Sequence, residues 1–444
     1  PTEEDQIKTY SNITITITTA SGYVLTQTFD LTVTASSATT ISAGYYHTCK
    51  VLDNGSVKCW GRNNAGKLGI DNNTDMGDDS GEMAQLTGIN LGTGRTTTSI
   101  AAGTNHTCAL LDDASVKCWG ENNGQLGIDN ITQMGDDSGE MAQLTGINLG
   151  TGRTATSIVA GANQTCALLD NGSVKCWGYN AYGGLGIDNK DTMGNGSGEM
   201  AQLTGINLGT GRTAKFISAG TSFNCAVLDN GAAKCWGRNT FGQLGIDNTE
   251  WMGDESGEMA QLTGINLGTG RTATSISAGT SHVCAVLDNG SVKCWGYNDR
   301  GQLGIENTTP MGSDSGDMAS LSSINLGTGR TAKSISVGNG HTCALLDDGS
   351  VKCWGSNAYG QLGIDNITQM GDDSGEMAQL TGINLGTGRT ATAIAAGGYH
   401  NCAVLDNESV KCWGYNRYGQ LGIDNNNNIG DDSGEMASLP SINL

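Results

Sequence analysis

The sequence predicts an all-β protein built from seven copies of one unit. Two cysteines with nine residues between them recur seven times, as in Cys343 and Cys353, and successive copies start 59, 58, 59, 59, 59 and 59 residues apart. A fixed period of this length, about 59 residues, indicates a repeat architecture. The chain also contains 69 glycines and only 5% aromatic residues, a composition typical of short strands joined by tight turns.

Each cysteine pair flanks a segment that is predicted to form a β-hairpin. Between Cys49 and Cys59, pairing Val51 with Val57 leaves residues 53–55 as a three-residue loop, a type I turn followed by a left-handed glycine. This register sets the two cysteines directly opposite each other, at a distance that a disulfide can bridge. The same spacing predicts seven disulfides: Cys49–Cys59, Cys108–Cys118, Cys166–Cys176, Cys225–Cys235, Cys284–Cys294, Cys343–Cys353 and Cys402–Cys412.

Two units lack the glycine that this turn favours. Ala114 and Glu408 stand in its place, so we expect a positive φ at both residues, at a cost of about 1 kcal/mol each. Zinc is a poor alternative for the cysteines, because no second pair or nearby histidine completes four ligands. Since local pairs use all 14 cysteines, the chain is expected in an oxidising compartment, outside the cell or on its surface.

The segment after each hairpin carries a second recurrent pattern. It is Trp-Gly-x-Asn-x-x-Gly-Gln-Leu-Gly in residues 354–363, and a Gly-x-x-His precedes most hairpins, as in residues 44–47. Together these resemble the regulator of chromosome condensation repeat over about residues 39–444. The resemblance implies a seven-bladed β-propeller with four strands per blade, but the scaffold alone defines no function. The paired cysteines, which eukaryotic members generally lack, make the chain similar to a secreted bacterial type.

The propeller is predicted to span residues 37–444 and to be closed by its N-terminal strand. Residues 39–44 match the run that opens later units, whereas the last unit stops at residue 444 before its own copy of that run. We therefore expect residues 39–43 to complete the blade that residues 439–444 leave open. The run of small residues at 101–103 is expected to line the axis, because the inner side of a blade is crowded.

Residues 1–36 are predicted to be a separate piece. Residues 11–18 and 23–33 alternate apolar and polar side chains, as β-strands do, and they resemble the closing half of the Ig-like, cadherin-like repeats of bacterial surface proteins. Two strands alone are marginal in water, so further strands come either from upstream sequence or from another molecule. In the second case subunits would join into a fibre, through Ile13, Ile15, Ile17, Val24, Phe29, Leu31 and Val33.

An acidic loop after the first hairpin is a candidate calcium site. Its oxygen donors follow EF-hand spacing: Asp71, Asn73, Asp75, Asp79 and Glu82. However, Met76 replaces the turn glycine and other units lose donors. The alternative is an ion pair within each loop, in which a carboxylate such as Asp372 or Glu376 pairs with the Gly-x-Gly-Arg arginine Arg389. Apart from possible Ca²⁺, no cofactor is expected.

Nothing in the repeats predicts an enzyme. Seven near-identical units offer no single asymmetric constellation of the Ser-His-Asp kind, and five units carry a histidine where Gln164 and Phe223 stand in the other two. We therefore interpret the histidines as hydrogen-bonded structural residues and the recurrent tryptophans as packing between blades. The net charge of −21 disfavours nucleic acid as a partner, and no apolar run is long enough for membrane insertion.

Variation among the units is the best functional signal. Tyrosine and arginine at variable positions on a rigid frame suit a protein-binding surface, although the rings could instead cover neighbouring blades. The candidates are Arg62, Glu121, Tyr179, Tyr182, Arg238, Phe241, Tyr297, Arg300, Tyr359, Tyr415, Arg417 and Tyr418. Trp251, which occurs in one acidic loop only, is either a contact anchor or local packing.

These observations lead to two functional hypotheses. The first is a non-enzymatic extracellular bacterial protein that acts as a structural or adhesive surface module and forms fibres through residues 1–36. The second is a secreted protein-binding propeller that uses the variable tyrosine and arginine loops on one face, as a secreted bacterial member of the family does with an enzyme target. The expected partners are accordingly the chain itself, or an extracellular protein or glycan.

Overall fold

The computed structural model describes residues 41–444 and the backbone of residues 7–18 and 24–34. The chain divides into two compact units, residues 1–39 and 40–444. In the first unit, strand β1 (Ile7–Thr18) pairs antiparallel with β2 (Val24–Thr34), with a register shift between Tyr10 and Ile13. The two predicted strands are therefore present. The seven side chains predicted to mediate assembly lie outside the described part of the structure.

The second unit consists of seven three-stranded antiparallel sheets, numbered here as blades 1 to 7 in chain order. Blade 1 contains β3 (Ile41–Ala43), β4 (His47–Val51) and β5 (Val57–Gly61); blade 2 contains β6 (Thr97–Ala102), β7 (His106–Leu111) and β8 (Val116–Gly120). Blade 3 contains β9 (Ala155–Ala160), β10 (Gln164–Leu169) and β11 (Val174–Gly178); blade 4 contains β12 (Ala214–Ala219), β13 (Phe223–Leu228) and β14 (Ala233–Gly237). Blade 5 contains β15 (Ala273–Ala278), β16 (His282–Leu287) and β17 (Val292–Gly296); blade 6 contains β18 (Ala332–Val337), β19 (His341–Leu346) and β20 (Val351–Gly355). Blade 7 contains β21 (Ala391–Ala396), β22 (His400–Leu405) and β23 (Val410–Gly414).

The all-β, seven-bladed propeller predicted from the sequence is thus confirmed, but each blade has three strands rather than four. Where a fourth strand was expected, a single isolated bridge joins Gly61 to Met76 in blade 1, and equivalent bridges occur in the other blades. The next residue, Gly77, has a φ of 97°, so the chain turns away instead of continuing an extended ladder. The acidic loop occupies the place of the missing strand.

One short helical turn follows each acidic loop. Blades 1 and 2 have 3₁₀ turns at Met83–Gln85 and Met141–Gln143, and a further 3₁₀ turn spans Asn64–Gly66. The other blades have α1 (Glu199–Gln202), α2 (Glu258–Gln261), α3 (Asp317–Ser320), α4 (Glu376–Gln379) and α5 (Glu435–Ser438). Each turn after a loop buries one methionine, such as Met200, in the core. Within the described residues, no helix has the length and apolar character that crossing a membrane requires.

The hairpins have the predicted geometry. Cys49 lies opposite Cys59 and Val51 opposite Val57, and the N–H of Leu52 donates to the Ser56 carbonyl across the turn, 2.8 Å away. All seven cysteine pairs form disulfides, with Cα atoms 4.0–4.1 Å apart. Ala114 and Glu408 have φ values of 61° and 67°, as expected for residues in place of the left-handed glycine.

The hydrophobic core lies in the seams between blades. Trp119 of blade 2 packs in one cluster with Cys49, Val57 and Leu68 of blade 1, and its indole N–H donates to the Lys67 carbonyl at 3.0 Å. Each of the seven equivalent tryptophans has an exposed fraction of 0%. The interpretation of the tryptophans as inter-blade packing is therefore correct.

The ring closes, but not by the strand exchange that the sequence predicts. Strand β3 pairs with β4 in blade 1, and residues 41–43 do not complete the sheet of blade 7. Blade 7 meets blade 1 through the same contacts as every other seam: the indole N–H of Trp60 donates to the Gln420 carbonyl at 3.0 Å, and Ile41, Trp60 and Ile442 share a cluster. Each inner strand pairs with its own hairpin because a turn of only three residues joins them.

A ring of seven glycines surrounds the axis: Gly44, Gly103, Gly161, Gly220, Gly279, Gly338 and Gly397. A Cβ atom on Gly103 would lie 2.5 Å from the Gly161 carbonyl oxygen, and one on Gly397 would lie 2.5 Å from the Gly44 oxygen. Each glycine thus abuts the backbone of the next blade, and the last link joins blade 7 to blade 1. Alanines of the inner strands line the axis beside this ring, as predicted.

Candidate interaction surface

The antiparallel blades give the ring two different faces. The loops between the first and second strands, such as residues 44–46, and the loops after the third strands, such as residues 62–66, emerge on one face, which we call the tyrosine face. The hairpin turns, such as residues 53–55, emerge on the opposite face, which we call the hairpin face. The variable positions singled out in the sequence all lie in loops of the tyrosine face.

Six tyrosines from blades 6, 7 and 1 form one aromatic group, which we call the tyrosine cluster: Tyr45, Tyr46, Tyr359, Tyr399, Tyr415 and Tyr418. The ring centroids of Tyr359 and Tyr415 are 4.7 Å apart, and those of Tyr46 and Tyr418 are 5.3 Å apart. The hydroxyls of Tyr45 and Tyr399 lie 3.1 Å apart. Tyr359, Tyr415 and Tyr418, which the sequence predicted to bind a partner, thus lie together within this larger tyrosine cluster.

Tyr45, Tyr46 and Tyr399 were missed by the sequence reasoning, which considered only the loops after the third strands. The signal was present in the Gly-x-x-His loops, where these tyrosines occupy positions held by Thr104 and Asn105 in blade 2. Burial is the main cause that raises the pKa of Tyr45 above its usual value, with the Tyr399 hydroxyl acting in the same direction. The Tyr45 phenol therefore remains a neutral hydrogen-bonding group at physiological pH.

Two guanidinium groups lie on the tyrosine cluster. The Arg62 guanidinium carbon is 4.9 Å from the Tyr418 ring centroid and 5.8 Å from that of Tyr46. The Arg417 carbon is 6.0 Å from the Tyr418 centroid. All three distances fall in the range of cation–π contacts, so the Tyr418 ring contacts two cations.

The remaining predicted partner residues form smaller groups on the same face. Tyr182 contacts Tyr179, Trp251 and Arg238, with a centroid separation of 4.9 Å from Trp251. Trp251 therefore contacts the neighbouring blade, and its role as a contact anchor remains a prediction. A separate pair, Phe241 and Tyr297, has centroids 4.4 Å apart. Arg300 is paired with Asp299 at 3.5 Å, and Glu121 accepts a hydrogen bond from Asn105.

The histidines hold adjacent blades together. His106 Nε2 lies 2.9 Å from the Thr165 hydroxyl, and that hydroxyl donates to the Gln125 carbonyl at 2.8 Å. Thr165 can then only accept from the ring, so Nε2 carries the proton. Burial lowers the pKa of His106 to about 3, which keeps the imidazole neutral. The structural interpretation of the histidines is correct.

Where a histidine is replaced, its partner is replaced as well. Phe223 stands in the histidine position of blade 4, and Val283 stands in the position of the threonine that it would face in blade 5. Both side chains are fully buried in the same cluster. An apolar pair thus substitutes for a hydrogen-bonded pair, which supports packing rather than proton transfer as the role of this position.

The structure does not gather the five candidate calcium ligands around one point. Glu82 Oε2 accepts from the N–H groups of Gly77, Asp78 and Asp79 at 2.8–3.1 Å, and Asp71 Oδ1 accepts from Met141 N–H in the next unit at 2.9 Å. Asn73 and Asp75 likewise accept from backbone N–H groups, those of Gly66 and Asn63 in the segment that precedes the acidic loop. Across residues 41–444, no group of three or more His, Cys, Asp or Glu could hold a metal. Calcium binding remains a prediction of the sequence pattern alone.

The predicted ion pair within the acidic loop is wrong. Arg389 pairs with Asp406, at 3.3 Å, in the hairpin turn of the next blade, and Arg95 pairs with Asp112 in the same way at 3.2 Å. The chain crosses from one face to the other between the acidic loop and the arginine, since Met370 bonds to Gly355 at the end of β20 and Ile383 bonds to Val351 at its start. These exposed pairs contribute less than about 1 kcal/mol each.

One buried cation was not recognised from the sequence. Lys67 stands where most units have glutamine and is completely buried. Its ammonium donates to Asn105 Oδ1 at 3.0 Å and to the Thr104 carbonyl at 3.3 Å, both in blade 2. Burial, aided by the nearby Arg62 charge, lowers the pKa of Lys67 to about 7. The amine is therefore partly neutral in the folded protein at physiological pH.

We expect Lys67→Gln to remove a pH dependence of stability. The unfolded chain keeps the Lys67 proton up to about pH 10.5, whereas the folded chain releases it near 7, so native stability rises as the pH increases above 7. The free energy of unfolding of the native protein, relative to the variant, should increase by about 2 kcal/mol between pH 7 and pH 9. Urea unfolding of both proteins at each pH measures this difference. A difference that stays constant with pH would contradict the assignment.

Comparison with known proteins identifies the repeat. A family model described as the regulator of chromosome condensation (RCC1) repeat matches seven segments of the chain: residues 38–67, 98–125, 155–183, 214–243, 273–302, 332–361 and 391–420. Each match ends within the tryptophan pattern, as at residue 361 of the pattern in residues 354–363. The seven matches correspond one to one with the seven blades.

Relatives of known sequence and structure agree with this match. The chain is 28% identical over 329 residues to the ultraviolet-B receptor UVR8 of Arabidopsis thaliana, covering 74% of the chain and 67% of UVR8. It is 28% identical over 334 residues to the protein pim1 of Schizosaccharomyces pombe, covering 71% of the chain and 58% of pim1. The structure of yeast RCC1 (Prp20) bound to Kap60 has a TM-score of 0.67 at 19% identity, over 92% of the chain and 85% of that protein. The chain therefore belongs to the family of proteins built from RCC1 repeats.

Proposed function

We propose that this chain is a non-enzymatic protein-binding propeller that engages its partner through the tyrosine face. The observation that carries the proposal is the concentration of six tyrosines and two arginines on blades 6, 7 and 1 of a ring of near-identical units. Blade 2 folds in the same way with Thr104, Asn105 and Glu121 at equivalent positions. Packing of the blades therefore does not require these tyrosines, whereas a binding surface benefits from rigid aromatic side chains.

Related propellers support protein binding as the class of function. A crystal structure shows yeast RCC1 bound to Kap60, and a second study of Prp20p from Saccharomyces cerevisiae describes its binding properties to Gsp1p and histones. These partners belong to those proteins, and they are examples of protein binding by members of the same fold. The seven disulfides of the present chain favour an extracellular, secreted setting.

Site-specific photo-cross-linking tests the proposal. A photoreactive side chain at Tyr359, which is 36% exposed on the tyrosine face, is expected to cross-link a protein of the extracellular fluid in which the chain occurs. The same group at Asp53, an exposed residue of the hairpin face, is the matched control and should give no such product. Adducts of equal yield from both positions, or from Asp53 alone, would exclude the tyrosine face as the binding surface.

A second candidate function, fibre formation, rests on the N-terminal unit. Strands β1 and β2 form a sheet of only two strands, and no third strand joins it within residues 7–18, 24–34 and 41–444. Such a sheet has open edges to which a strand of another molecule can add. Negative-stain microscopy of the full chain should then show polymers that disappear when residues 1–36 are removed. Discrete particles in both preparations would exclude this assembly.

A further inference from the structure

The structure also indicates what chemical group the partner presents. Building on the proposed function, we propose that the tyrosine cluster binds a loop of a partner protein that carries a carboxylate flanked by apolar side chains. Arg62 and Arg417 would receive the carboxylate, and the phenol rings would contact its apolar neighbours.

The charge inventory separates two kinds of arginine. The chain has 44 acidic and 23 basic residues, so carboxylates are plentiful. The six arginines of the Gly-x-Gly-Arg loops all pair with hairpin aspartates: Arg95, Arg153, Arg212, Arg271, Arg330 and Arg389. Arg62 and Arg417, in contrast, form no ion pair with any carboxylate in residues 41–444, and the same holds for Arg238, which lies outside the tyrosine cluster. In so acidic a protein, these two cations retain their capacity to bind an anion.

The contacts of the two arginines with tyrosine rings orient their guanidinium groups for binding a carboxylate. The guanidinium of Arg62 lies over Tyr418 and near Tyr46, and that of Arg417 approaches the same Tyr418 ring. Stacking on an aromatic ring fixes a guanidinium plane while its N–H edge remains able to form a two-pronged bond to a carboxylate. Part of the entropy cost of ordering the two long side chains is therefore met before the partner arrives.

The tyrosines and the net charge of the chain further restrict the class of partner that the tyrosine cluster can bind. A free anion would use the arginines but leave six aromatic rings without a function, whereas a polypeptide loop can cover them with apolar side chains. The hydroxyl pair of Tyr45 and Tyr399 adds polar contacts at the edge of the cluster. The net charge of −21 repels strongly acidic proteins at long range, so the partner should be neutral or basic overall and present its carboxylate locally.

Selection from a library of disulfide-cyclised random peptides displayed on phage tests this inference. Peptides selected on the native protein are expected to be enriched in Asp or Glu next to aromatic or aliphatic residues. Binding of these peptides should fall at least tenfold with the variant Arg62→Gln/Arg417→Gln. Arg95→Gln, which removes an exposed arginine of the hairpin face, is the matched control and should leave binding unchanged.

A double-mutant cycle provides the decisive measurement. Replacing the selected acidic residue by its amide should weaken binding to the native protein but not to Arg62→Gln, and Arg62→Lys should restore part of the loss because it keeps the charge without the two-pronged geometry. Melting curves establish that each variant is folded. Selected peptides that lack acidic residues but bind the Tyr415→Ser variant more weakly than the native protein would contradict the proposal that the partner presents a carboxylate. They would leave the proposed function intact. Peptides that bind all variants equally would overturn both.

Discussion

The denatured ring is expected to remain unfolded when the denaturant is removed in the presence of a reductant. Each disulfide closes a short hairpin and contributes roughly 2–3 kcal/mol in the chain-entropy model. The loss of seven such links is therefore roughly 14–21 kcal/mol, which lies at or above the upper end of the range of about 5–15 kcal/mol that is typical of the stability of a folded domain. Circular dichroism and size-exclusion chromatography after dilution from urea measure the outcome.

The comparison requires denaturation first, because the native ring protects its disulfides. Every cysteine has an exposed fraction of 0–1%, so a reductant reaches the sulfur atoms only when a blade opens. The control is the same protein taken through urea without reductant, which should regain its compact state. Recovery of the native spectrum by the fully reduced chain would mean that the inter-blade seams alone hold the propeller.

Gly397→Ala is expected to destabilise the propeller by about 3 kcal/mol. The added methyl group would lie 2.5 Å from the Gly44 carbonyl oxygen and 2.5 Å from a ring carbon of His400. Both contacts are far below van der Waals distance, and the first is with backbone, so blades 7 and 1 must separate to accommodate it. Urea unfolding followed by tryptophan fluorescence reports the change, because Trp60 lies in this seam.

Gly146→Ala provides the matched control for this prediction. A Cβ atom at Gly146 has its nearest neighbour, Ser115 Cβ, at an ordinary 3.6 Å, and no left-handed φ is involved. This substitution should be neutral or slightly stabilising, by up to about 1 kcal/mol, because it restricts the unfolded chain. Equal unfolding midpoints for the two variants would refute the steric role of the glycine ring.

Local rules predicted the parts of the fold that depend on a few neighbouring residues. The position of Gly55 fixed the turn, the turn fixed the strand register, and the register set Cys49 opposite Cys59. The positive φ at Ala114 followed from the same turn. These features need no knowledge of the neighbouring blade, which is why the sequence was sufficient.

Features that depend on the relative position of distant segments could not be predicted. The partner of Arg389 was misassigned because only the finished structure shows that its loop and the acidic loop belong to opposite faces. Tyr46 and Tyr418 are far apart in the sequence and meet only when blade 7 closes on blade 1. The burial of Lys67 could not be predicted from its local sequence, because it arises from the Asn105 loop of the next blade.

The replacement of a His–Thr pair by Phe223 and Val283 has an evolutionary consequence. Transplanting any one of the five blades that carry the histidine into position 4 would bring an imidazole N–H against Val283, leaving a buried donor without an acceptor. Such a mismatch costs about 1–3 kcal/mol. Duplicated repeats of this kind are therefore expected to diverge at one inter-blade contact at a time. A substitution in one copy is then accompanied by a compensating substitution in the following copy.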